Sequence, residues 1–208
     1  MVRRLPWVVL ALVVCLATLG CDQGPETTDP GTNPRTTTPP AVIGTSAEGL
    51  EPIPTDGPGE SAAVAARPAA LAAAKQTRES SGQSWPDLSG ASPVLEAYLV
   101  RAAMGEDVAL LEVRADGKAH NVYAYQKAFD AGSLVWTPKE NVKSPSAAPQ
   151  SETEKAAVAA VEEVMADAFP DEDVAVALHG YRFAYVKDGM IVLTLEIDPE
   201  GGVISVGS

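Results

Sequence analysis

The stretch "SPVLEAYLVRAAMGEDVALLEVRADGKAHNVYAYQ", residues 92–126, is where the reading of the fold turns. Ser92-Pro93 has the form of a helix N-cap with proline at the first helical position, and Gly105 supplies a stop. Val94, Leu95, Tyr98 and Ala102 would then line one face of a helix. After Gly105, "DVALLEV" (107–113) and "KAHNVYAYQ" (118–126) flank "RADG", a hairpin signal. "SLVWTP" (133–138) is a candidate third strand, and "KENVKSPSAAPQ" (139–150) is a polar, proline-containing break.

Downstream the same order recurs. Ser151 and Glu154 have capping-box spacing. Ala157, Val158, Val161, Val164, Met165 and Ala168 follow at helical intervals until Phe169-Pro170. "DVAVALHG" (173–180) alternates, "YRFAYV" leads into the turn "KDG" (187–189), "MIVLTLEI" places Ile191, Leu193, Leu195 and Ile197 on one face, and "VISV" (203–206) closes the chain. The expected class is α+β: a small antiparallel sheet or sheets with two packed helices, a helix–strand meander run twice. Residues 85–208 form either two αβββ halves (85–140 and 151–208) or one sheet drawing strands from both. A single body buries its apolar side more economically and is favoured.

Upstream the chain changes character. Residues 22–60 are dominated by Thr, Pro and Gly, and between the leader and Trp85 there is no aromatic residue. Such a stretch cannot bury enough apolar surface to offset the entropy of ordering it, so 21–84 is expected to be a disordered Pro/Thr/Ala-rich tether. Within it, a marginal helix from about Pro68 to Arg78 is expected, outside the core.

Residues 1–20 read as a signal peptide. Arg3 and Arg4 precede an apolar run from Trp7 to Leu19, shorter than the roughly 20 residues a membrane-spanning helix needs. Thr18-Leu19-Gly20-Cys21 resembles the lipobox of bacterial lipoproteins, with Thr18 where leucine is usual. That resemblance implies acylation of Cys21, a membrane-lipid anchor and a place in the bacterial cell envelope, outside the cytosol. Simple secretion would instead leave Cys21 as an odd thiol, since Cys15 lies inside the discarded apolar core.

The formal charge of −13 argues against nucleic acid as a partner. His120 and His179 fall in or beside expected strands, with no spacing that marks a metal site, and no Gly-x-Ser-x-Gly turn joins a strand to a helix. Asp171-Glu172-Asp173 fails calcium-loop spacing because Val176 stands where glycine is needed. Glu152 and Glu154 are explained by a helix N-terminus. No catalytic residue, cofactor or metal is assigned. Tyr181, Phe183 and Tyr185 project from one side of a strand; they pack under the second helix or, if uncovered, form a binding face.

Residues from about Glu154 to Val206 resemble the PepSY domain, a small extracytoplasmic bacterial module. The resemblance is carried by "KAAVAAVEEVMADAFPDEDV", "YRFAYVKDG" and "LEIDPEGGVISV", with Tyr181, Asp198, Gly201 and Val203 in the matching places. It implies protein binding or protease inhibition in the envelope. The expected function is therefore an anchored lipoprotein that binds a protein or peptide; a structural envelope spacer is the alternative, and a carboxylate-dependent hydrolase comes third.

Overall fold

The computed structural model describes residues 44–122, 129–142 and 144–207. The leader, Cys21 and the tether up to residue 43 lie outside the described residues. The elements are β1 (Thr45–Ser46), α1 (Pro58–Ser80), β2 (Ser92–Met104), β3 (Asp107–Val113), β4 (Ala119–Asn121), β5 (Thr137–Pro138), α2 (Glu152–Ala168), β6 (Val174–Lys187), β7 (Met190–Ile197) and β8 (Val203–Gly207). Among the described residues the class is α+β: two α-helices and one curled antiparallel sheet, with β2 and β6 paired at its centre.

Residues 92–104 are a strand, not the expected helix. Ser92-Pro93 imitates a helix start, but the run from Val94 to Val100 is apolar with Glu96 as its one interruption. Such a run suits a central strand buried on both faces, and Leu95 to Val100 are all buried. Gly105 ends a strand: with Glu106 it makes the two-residue turn to β3, at φ 58°. "DVAVALHG" and "YRFAYV" likewise belong to the single strand β6. Of "SLVWTP", Thr137–Pro138 alone pairs as strand.

Part of the expected tether is folded as well. Residues 58–80 form a helix of 23 residues that packs on the core through Ala63, Ala70 and Ala74. Pro58 occupies its first turn after the extended N-cap Gly57. Gly82 at φ 75° closes it, with Gly82 N–H donating to Glu79 and Gln83 N–H to Arg78, both backbone carbonyls. Pro68 lies on the exposed side of the helix, where its ring displaces no core side chain. The structured body therefore begins well before residue 85.

The true halves are α1–β2–β3–β4 and α2–β6–β7–β8, and they repeat in sequence. "ESAAVAA" (60–66) matches "EKAAVAA" (154–160), and "LEVRADG" (111–117) matches "LEIDPEG" (195–201). Registers agree: Tyr98 pairs with Val113 as Tyr181 pairs with Ile197, and Tyr98 faces Tyr181 across the centre. Even the lead-in segments correspond, since Ile53 N–H donates to Leu95 and Ala147 N–H to Leu178, each at 2.9 Å. The short leading strands are exchanged: β1 pairs with β7 of the second half, β5 with β3 of the first.

Candidate functional site

Three features could carry function, and each follows from this doubled arrangement. The first lies where the two helices begin. Glu60 and Glu154 occupy the third position of α1 and α2, and both are buried. Tyr98 donates to Glu60 Oε1 at 2.6 Å and Tyr181 to Glu154 Oε1 at 2.7 Å, with the two rings edge-to-face at 6.2 Å. Ser151 Oγ accepts from Glu154 N–H and donates to Glu60, which Thr153 also reaches. The expected capping box is present. Burial raises the Glu60 carboxyl, but the hydroxyls of Ser151, Thr153 and Tyr98 outweigh it and the net shift is downward. Burial, followed by the neighbouring carboxylates, pushes both tyrosines well above the usual phenol range.

Glycine makes the junction possible. A Cβ on Gly59 would stand 1.8 Å from Glu154 Oε1, and one on Gly57 2.5 Å from Ser151 Cβ. The two positive helix ends thus share two carboxylates in a space without room for larger residues. Two acids do converge beside an aromatic wall here. Both are buried: Glu60 Oε1 accepts from Tyr98, Ser151 and Thr153, and Glu154 serves the α2 cap and Tyr181, an arrangement that joins helix to helix.

The second feature is polar and lies on the opposite sheet face. Each central strand carries a bulge, and the extra residues are Glu96 in β2 and His179 in β6. Arg182 lies on that face, donating through Nε to Glu196 Oε1 at 2.9 Å and through an Nη to Glu112, which Arg114 also binds. Ser205 donates to Glu196 Oε2 at 2.6 Å. Burial alone would lower the Arg182 pKa; Glu112, Glu196 and Glu96 reverse that and hold it above the ordinary guanidinium range. A cavity of about 300 Å³ adjoins this cluster, lined by Glu48, Glu51, Glu96, Arg114, Asp116 and His120 among others. His120 Nε2 stands 3.1 Å from Asp116 Oδ2. Among the described residues no group of three or more metal-ligating side chains is placed to hold an ion.

His179 is buried, and its Nδ1 has no partner among the described residues. Burial first, then the charge of Arg101, lowers its pKa, against a smaller upward pull from Glu196 and Asp198. The unfolded chain therefore takes up this proton more readily than the folded one. Below about pH 6.5 stability is expected to fall with pH, by up to about 1.4 kcal/mol per unit from this residue. Urea midpoints measured from pH 7.5 down to the folded-state pKa check this. His179→Gln should flatten the slope; an unchanged slope would remove His179 as its source.

The third feature is a groove of about 740 Å³ between α1 and β8. Its walls are Ala73, Ala74, Thr77, Arg78 and Gln83 on one side and Val203 to Gly207 on the other. Among the described residues β8 pairs with β7 alone, so its outer backbone edge borders the groove. Val203 is 39% exposed.

Tyr181, Phe183 and Tyr185 share one sheet face as expected, but all three are buried and do not form an open binding face. Both helices cover them, not α2 alone. Tyr181 meets Glu154 of α2, and the Arg67 guanidinium of α1 lies 5.3 Å from the Phe183 ring centre. Asp198 accepts from the backbone N–H of Glu200 and Gly202 and so shapes a turn. Asp171, Glu172 and Asp173 are exposed in a loop. The sequence reading missed Glu60, Arg182 and the groove; the repeated "AAVAA" was the signal that could have exposed α1 and with it Glu60 and the groove wall.

Comparison of the chain with protein-family models, curated proteins and solved structures gave no match. Among the described residues no helix is long and apolar enough to cross a membrane.

Proposed function

We propose that the protein is an extracytoplasmic lipoprotein of the bacterial cell envelope, anchored through acylated Cys21, whose α+β body binds a protein or peptide by contact. The observation that carries the binding role is the outer edge of β8 beside the α1 groove. An incoming extended segment can bond to the backbone of such an edge while its side chains enter the neighbouring groove. Thr18 to Cys21 supports the anchor, and the resemblance of residues 154–206 to the PepSY domain supports a contact role. Anchoring confines the body near the membrane and raises its effective concentration toward partners there.

A photoreactive amino acid placed at Val203 is expected to yield a discrete adduct with one envelope protein, absent when the group is moved to exposed Val135. Cys21→Ala should release the chain from the membrane fraction. Identical adducts from both positions would overturn the contact role, and unchanged sedimentation of Cys21→Ala would overturn the anchor.

A further inference from the structure

We propose that Ala41-Val42-Ile43, just ahead of β1, docks along the outer edge of β8 in the α1/β8 groove, so that an envelope partner must displace the chain's own segment to enter. The competition rests on the contact reading above; the docking does not. β1 and β8 lie on the same side of β7. Thr45 and Ser46 pair with Ile191 and Met190, and Gly207 back to Val203 pair with Thr194 to Ile197. β6 takes the other side of β7 along its whole length. Both β1 and β8 run antiparallel to β7, so they lie in line and in one direction, and the end of β8 points at the start of β1.

The chain that enters β1 cannot follow that line. Carried backward, the β1 register sets Ile43 opposite Leu193 and Val42 opposite Thr194, and the place opposite Thr194 already belongs to Gly207. Gly44 itself is held against β7: a Cβ there would stand 2.8 Å from the Ile191 carbonyl oxygen. The sidestep therefore falls on the residues just before Gly44. On one sheet face the way is filled by the core side chains Leu193 and Leu195 beneath α1. The other face is polar beside β8, where Ser205 donates to Glu196. The route left to apolar residues is outward, parallel to β8 and against Ala73 and Ala74 of the groove wall.

Sequence supplies the second argument. Residues 22–43 separate Cys21 from Gly44, and Ala41, Val42 and Ile43 are the only Ala, Val, Leu, Ile, Met or aromatic residues among them. Val42 and Ile43 are β-branched and suit an extended backbone on a half-buried surface. Pro39 and Pro40 come immediately before; without an N–H they cannot donate to a strand edge, so the pairing run ends at Ala41. Three extended residues cover about 10 Å, which fits within the roughly 16 Å of the five-residue β8.

The test uses the full chain in detergent micelles, with a photoreactive amino acid at exposed Thr77 on the groove wall. Irradiation should give an intrachain adduct that peptide mapping places in residues 41–43. The same group at exposed Glu163 of α2 should give none there. Val42→Asp combined with Ile43→Asp puts two carboxylates where apolar side chains would be buried. That double variant should lose the Thr77 adduct and speed backbone hydrogen exchange in 203–207 several-fold, with exchange in β2 and β6 unchanged. In the envelope it should also raise the yield of the partner adduct at Val203 several-fold. A Thr77 adduct that maps elsewhere in the chain or to a second copy, equal adducts from Thr77 and Glu163, or unchanged exchange in the double variant would each overturn the docking. If the docking is found and Val203 captures no envelope protein in either chain, the contact role falls and the docking stands. If Val203 captures one envelope protein equally in both chains, the contact role stands and the competition falls.

Discussion

Arg182→Leu is expected to destabilise the protein by about 3–5 kcal/mol, the loss typical when one member of a buried ion cluster is removed. The cause is less the lost attraction than what remains: Glu96, Glu112 and Glu196 are buried around the vacated place. Three carboxylates out of water without that cation must be protonated or draw water in. Against a typical total of about 5–15 kcal/mol, the variant should unfold at a much lower urea concentration or fail to accumulate. Arg182→Lys covers the second possibility, because it keeps the charge but not the fork that reaches Glu196 and Glu112 together. It should fold and lose less. A combined Arg182→Leu, Glu112→Leu, Glu196→Leu variant should recover part of the deficit, the buried Glu96 carboxylate keeping the remainder. A loss below about 1 kcal/mol in Arg182→Leu would show the cluster to be solvated in solution.

The second large effect belongs to the helix junction. Glu154→Ala should cost about 3 kcal/mol: roughly 1–3 for stranded donors and about 1 for the lost cap. The stranded groups are the Tyr181 hydroxyl and the backbone N–H of Gln150 and Ser151. Urea unfolding of Glu154→Ala, Tyr181→Phe and the pair separates this mechanism from simple loss of packing. If the hydroxyl is the stranded partner, the pair should cost less than the sum of the singles. Strict additivity would contradict it.

How far these features were legible depends on where local signals agreed with the tertiary context. The α2 start was readable because Ser151 and Glu154 use their own side chains for a local cap, and the Asp188-Gly189 turn because φ is positive at both residues. β2 was not, since Ser92-Pro93 and Gly105 offer helix-like punctuation around a run whose burial on both sides is set by β6 and the layers it packs against. α1 was hidden by Pro68 and by alanines, whose packing value appears once the sheet is present. Its counterpart in α2 was masked by spacing: the matched glutamates are residues 60 and 154, the matched tyrosines 98 and 181, so no single offset aligns the halves. The polar cluster draws Glu112, Arg182 and Glu196 from three strands, and no linear pattern marks such a meeting.

The exchange of β1 and β5 ties the two αβββ units into a handclasp. Thr45–Ser46 closes the hairpin that follows α2, and Thr137–Pro138 closes the one that follows α1. Severed from its sibling, either unit would carry a hairpin with a missing splint and a row of core side chains bared along its central strand. Melting should accordingly be a single event shared by both units, and a backbone nick between them should leave the fragments clasped until that event occurs.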